Sequence, residues 1–227
     1  MTHTNAAVRG LFITLEGPDG AGTTTQAALL TKALRERGIP VTDTREPGGT
    51  HIGERVRTIL LSVDHAEMLP ATEVLLFAAS RAQHVGERIR PALEAGHVVI
   101  CDRFSESTLA YQGYGRGVDL EALQRITRFA TGGLRPDLIV LLDLDADQAM
   151  ERRRLDEQTG GIQRNRLDRL DASFYDRVRK GYLDMAGQEP DRWLVLDAKR
   201  PIAMLHQAIY ERVEKLLAER GTLGDLD

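Results

Sequence analysis

Three scarcities narrow the reading of this 227-residue chain: a single cysteine, aromatic residues at only 5%, and no long apolar run. Lone Cys101 forms no intrachain disulfide and offers no thiolate cluster to a metal, so a reducing, cytoplasmic location is expected. The six histidines, His51, His84 and His206 among them, are scattered without ligand spacing, and no structural zinc is expected. No stretch approaches the roughly 20 apolar residues that cross a bilayer. Met1 to Gly10 lacks the apolar centre of a secretory leader, and a flexible N-terminal tail is expected over 1–10. Neither sign of charge dominates: 30 Lys+Arg against 34 Asp+Glu leave −4, which gives no global positive field for nucleic acid or anionic membrane. Any anion site must be local.

What is present suits one globular α/β domain: 42% hydrophobic residues, 28% charged, and enough length for a sizeable core. Leu11-Phe12-Ile13-Thr14-Leu15 is a short apolar run ended by a Gly-rich turn, and a helix follows from Thr24 to about Arg37, closed by Gly38. Val41-Thr42-Asp43-Thr44 reads as a second strand, broken by Pro47-Gly48-Gly49. Further helices are expected near 52–62 and 70–90. His97–Cys101 and Leu138–Leu144 are apolar on both faces, as buried parallel strands are, and Trp193–Leu196 supplies a fifth. The last helix shows Leu205, Ala208, Ile209, Val213, Leu216 and Leu217 at helical spacing, interrupted only by Arg212. Strands alternating with helices predict a five-stranded parallel sheet covered on both faces, spanning 11–219, with 220–227 as a C-terminal tail. Ligands then belong at the carboxyl ends of the strands.

Gly17-Pro18-Asp19-Gly20-Ala21-Gly22-Thr23-Thr24 lies directly after the first strand and before the first helix, where a phosphate-binding loop must be. Its glycines let backbone amides converge on phosphate oxygens, the helix N-terminus adds partial positive charge, and the Thr24 hydroxyl is placed to ligate magnesium. Thr25 continues the candidate ATP-binding segment. The usual pattern has lysine at position 23, where this chain has threonine. Three explanations remain open: an arginine elsewhere replaces the lysine, the position has been altered, or the protein binds nucleotide with little turnover.

Several separated motifs, in order from about Leu11 to Leu217, make the chain resemble bacterial thymidylate kinases, nucleoside-monophosphate kinases of the P-loop kinase fold. Thr44-Arg45-Glu46-Pro47-Gly48-Gly49-Thr50 resembles the family segment whose arginine lies near the acceptor monophosphate, which makes Arg45, Glu46 and Pro47 substrate-binding candidates. A guanidinium suits that role because its fork forms paired charge-assisted bonds. Phe77 and Arg81 share a helix face. Alone, Phe77 within Val74-Leu75-Leu76-Phe77 reads as plain core; the resemblance makes the pair a thymine site. Asp102-Arg103-Phe104 matches the family's Asp-Arg-aromatic motif, implying a catalytic, phosphate-contacting Arg103 and an Asp102 near the metal; Asp143, at another strand end, is read as structural. In Ser107–Gly113 the resemblance implies that Thr108 and Gln112 meet the pyrimidine and that Tyr111 crowds the sugar 2′ position. Asp19 resembles the carboxylate that accepts from the sugar 3′-hydroxyl.

Arg152, Arg153, Arg154, Arg164, Arg166 and Arg169 surround Gly160-Gly161, and the stretch at about 152–169 is read as a short basic lid. Family members without an arginine inside the phosphate loop look to the lid for one; Arg153 and Arg164 are the candidates here, and Asp168-Arg169 matches a family segment. The implied reaction is transfer of the ATP γ-phosphoryl to dTMP with Mg2+, by a homodimer. A weakly active nucleotide binder and a kinase for another pyrimidine monophosphate remain alternatives. No Asn-Lys-x-Asp segment supports a GTPase switch.

Overall fold

The computed structural model describes residues 10–158 and 171–221. Five strands, β1 (Phe12–Glu16), β2 (Val41–Arg45), β3 (Val98–Asp102), β4 (Leu138–Asp143) and β5 (Trp193–Asp197), form one sheet in the order β2-β3-β1-β4-β5. All neighbours are parallel. The helices are α1 (Thr23–Glu36), α2 (His51–Leu61), α3 (Pro70–His84), α4 (Arg90–Glu94), α5 (Ser105–Thr108), α6 (Leu120–Thr131), α7 (Ala146–Gln158), α8 (Ala172–Gln188) and α9 (Ile202–Glu219).

Strand alternation explains why the apolar runs are continuous. Ile13, Leu15, Val98, Ile100, Leu138, Val140 and Leu142 join Leu30 and Leu34 of α1 and Leu205, Ile209, Val213 and Leu217 of α9 in one core. The intervening residues go to the other face: Ile139 and Leu141 meet Phe174, Val178 and Tyr182 of α8, while Phe12, Val99 and Cys101 pack with Phe104 and Ile89. A strand buried on both faces has no polar alternation to show.

The expected helix ends and the observed ones differ where proline or a carboxylate intervenes. Instead of one helix over 70–90, α3 passes through a π-helical turn at Val85–Ile89 and continues as α4 to Glu94. Pro91 has no N–H to return to the preceding turn, so the ladder widens rather than stops. β1 and β3 lie one residue later than their apolar runs, because Glu16 and Asp102 still pair in the ladder. Backbone pairing is indifferent to a polar side chain at a strand end, and those ends carry the charged groups of the cleft. The α1 terminus is as the sequence implies: Gly38 has φ +75, and Gly38 N–H and Ile39 N–H donate back to the Arg35 and Leu34 carbonyls.

Ile209 is fully buried between α9 and the sheet. Ile209→Ala should lower the unfolding free energy by about 2–5 kcal/mol in urea denaturation; a loss under about 1 kcal/mol would show that α9 is not packed this way.

Candidate active site

The loop leaving β1 is shaped by backbone conformations that side chains disfavour. Gly20 has φ +81, and a Cβ there would lie 3.1 Å from the Ala149 carbonyl oxygen of α7. Gly22, at φ +97, opens α1 in the left-handed conformation, and the first turn of α1 carries no acidic residue. The amides and dipole at that end are therefore left to an anion.

A cavity of about 450 Å³ lies at the carboxyl ends of the strands. The loop lines it with Pro18, Asp19, Gly20, Gly22, Thr23, Thr24 and Thr25. From the opposite side come Arg45 at the end of β2 with Glu46 and Pro47 after it, Phe77 and Arg81 of α3, and Thr108, Tyr111 and Gln112 of α5 and the π-helical turn after it. Asp102 and Arg103 at the end of β3 and Arg153 of α7 complete the lining. Gly17 and Ala21 sit behind the surface; the Gly17 carbonyl accepts from Arg103 at 2.7 Å, and Ala21 is buried in the core. Arg164, Arg166, Asp168, Arg169 and Gly160-Gly161 lie outside the described residues.

Asp19 is the electrostatic centre. Its Oδ1 accepts from Arg103 Nη2 and its Oδ2 from Arg153 Nη1, each at 2.7 Å. Burial alone would raise this carboxyl, but Arg103 and then Arg153 outweigh it and hold Asp19 below the usual carboxylate range. Arg103 has φ +68, a conformation that costs a non-glycine residue on the order of 1–3 kcal/mol. Its N–H donates to the Leu15 carbonyl at 2.9 Å, and the next N–H, of Phe104, donates to Glu16 Oε1 at 2.8 Å. The guanidinium carbon lies 5.4 Å from the Tyr111 ring centroid. These contacts fix an arginine at the junction of loop and pocket.

Glu16 was absent from the sequence candidates, although a carboxylate ending a buried strand is a readable signal. It also accepts from Ser107 Oγ at 2.6 Å and Tyr182 Oη at 3.2 Å. Burial, and then the nearby Glu106 carboxylate, push Glu16 up to about 8 against these donors.

On the acceptor side, Arg45 donates to the Pro47 carbonyl and to Glu54, both at 3.0 Å. Arg57 of α2 donates to the same Pro47 carbonyl at 2.9 Å and lines the cavity. It too was missed; its signal is the single helical turn separating it from Glu54, the partner of Arg45. Burial, then repulsion from Arg45, draw the Arg57 guanidinium below its ordinary value. Glu46, itself in this wall, braces its neighbours: its carboxylate accepts from Arg81 Nε at 2.7 Å and lies 3.0 Å from His84 Nδ1. Arg81, 2% exposed, donates onward to the Phe104 carbonyl at 3.0 Å and Thr108 Oγ1 at 3.1 Å.

Thr24 Oγ1 donates to Asp102 Oδ2 at 2.5 Å, while Asp102 Oδ1 is buried with no hydrogen-bond partner. A hydroxyl beside an unsatisfied carboxylate oxygen is the hard donor set of Mg2+, which usually takes only one or two carboxylates alongside phosphates and water. Among the described residues no group of three or more His, Cys, Asp or Glu gathers, so a metal site made wholly of protein is not on offer there. Buried Thr23 brings no charge. Two guanidinia of α7 reach the loop instead: Arg152 at the Gly20 carbonyl, 3.4 Å, and Arg153 at Asp19. Asp143 is paired at two points with Arg179, at 2.7 and 2.8 Å, as a structural residue would be.

A family model described as Thymidylate kinase matches residues 15–209. The thymidylate kinase of Deinococcus radiodurans is 52% identical over 213 residues, covering 94% of this chain and 98% of that protein. That of Roseiflexus castenholzii is 50% identical over 216 residues, covering 92% and 94%. The crystal structure of thymidylate kinase from Ehrlichia chaffeensis superposes with a TM-score of 0.72 at 34% identity, covering 90% of this chain and 99% of that one.

The raised Glu16 gives a signed pH dependence. A carboxyl at about 8 when folded, against an ordinary 4.5 unfolded, holds its proton more tightly in the native state. Its contribution to stability is complete below 4.5 and is lost as pH rises through about 8. Thermal unfolding of Glu16→Gln should therefore show a smaller fall in Tm between about pH 5 and 8 than the parent; an identical fall would remove Glu16 as a titrating group.

Proposed function

The chain belongs to the thymidylate kinase family, and from that premise and the site geometry we propose that it transfers the γ-phosphoryl group of ATP to the 5′-phosphate of dTMP, giving dTDP and ADP. The observation that carries this reading is one cleft in which an amide-lined loop faces a guanidinium-lined pocket across Arg103. The loop from Gly17 to Thr25 holds the donor phosphates. Arg45 and Arg57 hold the acceptor phosphate; Phe77, Arg81, Thr108 and Gln112 hold the pyrimidine; Tyr111 crowds the 2′ position; and Asp19 takes the 3′-hydroxyl.

An acceptor phosphate oxygen attacks the γ-phosphorus as the bond to the ADP oxygen breaks. No side-chain base is needed, because the acceptor is already anionic. The protein's task is alignment and charge neutralisation, met by loop amides, Arg103 and Arg153, with Arg164 as a further lid candidate. Mg2+, held by Thr24 and Asp102 when bound, adds charge neutralisation at the phosphates.

We read the enzyme as cytoplasmic and homodimeric. Among the described residues no helix is long and apolar enough to cross a membrane. Ile52 and Ile59 of α2, Leu69 and Leu75 at α3 and Phe129 of α6 are exposed apolar side chains on helices that pack side by side, and Phe129 is 89% exposed. A second copy would cover such a face.

ADP formation measured by a coupled assay should require ATP, Mg2+ and dTMP together; no dTMP-dependent release would overturn the proposal. Thr23→Lys should raise kcat by at least about tenfold, since one preorganised donor to the transferring group is worth roughly 10²–10³ in rate. Equal rates would show that neighbouring guanidinia already do the work of the missing lysine.

A further inference from the structure

Gln112 lies in the π-helical turn after α5, is 2% exposed and lines the cavity. Its Nε2 donates to Glu73 Oε1 at 2.8 Å. Glu73, on the first turn of α3, is 1% exposed and receives two further bonds from Arg116: Nε to Oε1 at 2.8 Å and Nη2 to Oε2 at 3.1 Å. Neither Glu73 nor Arg116 lines the cavity.

A glutamine amide has two faces of opposite polarity, and one carboxylate neighbour decides between them. Glu73, paired at two points with a guanidinium, is an acceptor only. Turning the amide over would set its carbonyl oxygen against that carboxylate and give up a buried hydrogen bond. With Nε2 committed to Glu73, the group Gln112 offers the cavity is the acceptor Oε1. Arg81, also in the cavity wall, is a donor only, and Glu46 and Thr108 hold it in place.

The pocket thus presents a donor and an acceptor as a pair. A pyrimidine with an N3–H beside a C4 carbonyl matches this pair: the carbonyl takes the Arg81 donor and N3–H gives to Gln112. An aminopyrimidine has the reverse pattern, so acceptor meets acceptor and donor meets donor. We propose that the Glu73–Arg116 ion pair is a positioning element that fixes the amide polarity of Gln112 and thereby sets selectivity for imide pyrimidines over aminopyrimidines. This rests on reading the cleft as a deoxynucleoside-monophosphate site. Glu73 acts through Gln112 and touches no substrate.

Calorimetric titration of the intact protein with dTMP, dUMP and dCMP tests it. The parent should bind dTMP at least about a hundredfold more tightly than dCMP, in line with sites whose polar groups are left unpaired by the wrong partner; equal affinities would overturn the inference without any variant. In Glu73→Gln the neighbour both donates and accepts, the amide is free to turn, and the dTMP:dCMP affinity ratio should fall at least about tenfold. The dTMP:dUMP ratio should stay within about threefold, because both share the N3–H edge. A purely structural role would weaken all three ligands together, and an unchanged dTMP:dCMP ratio in a folded variant overturns the proposal. Should Glu73→Gln not fold, the double variant Glu73→Gln/Arg116→Gln, which removes the carboxylate without leaving a buried guanidinium unpaired, must lower the same ratio. Turnover is not needed for this readout: an unchanged ratio with dTMP phosphorylation intact strikes the inference alone, whereas absent dTMP binding strikes the reading of the cleft as well.

Discussion

Two guanidinium groups share one carboxylate at the centre of the cleft, and the arrangement of the surrounding elements follows from that contact. Asp19 belongs to the loop after β1, Arg103 to the end of β3 and Arg153 to α7, so a single side chain ties the sheet, the loop and a covering helix together. Two half-buried positive charges so close together need a counter-charge, and without Asp19 their repulsion would push Arg103 and Arg153 apart. Arg103 is held in a disfavoured backbone conformation by hydrogen bonds to β1 and to the loop carbonyl of Gly17. Such strain persists only where the surroundings over-determine it, and here they do so next to the phosphate loop.

Around the cavity stands a set of buried acidic side chains. Glu16 holds Phe104 and Ser107, Glu46 holds Arg81 and His84, and Glu73 holds Gln112 and Arg116. Each carboxyl group is costly to bury in its charged form and each is met by several donors, which is the condition under which buried acidic groups are tolerated. The outcome is a cleft whose reading groups have few alternative rotamers. Position 23 stands apart from this pattern, since a buried threonine with no charge occupies the place where phosphate loops usually carry lysine.

Much of the fold was legible because the strands are buried on both faces and therefore read as short apolar runs between helical stretches. The errors were local. The helix expected over 70–90 widened into a π-helical turn before Pro91 and went on; the strand ends were cut short at Glu16 and Asp102 because side-chain polarity says nothing of backbone pairing. The loop and its neighbours were legible as motifs, and the structure gathers Arg45, Phe77, Arg81, Arg103, Tyr111 and Arg153 around one cavity. What sequence could not show was depth. Glu46, read as a substrate contact, lines the cavity with a carboxylate that Arg81 and His84 already engage. Arg57 passed as an ordinary helical arginine because only the folded chain brings it to Pro47.

The most direct measurement is a double-mutant cycle in unfolding free energy between Asp19→Asn and Arg103→Met. A shared, partly buried charge predicts a coupling of at least about 0.5 kcal/mol between the two changes. Additivity within about 0.3 kcal/mol would contradict the claim that this ion pair organises the cleft.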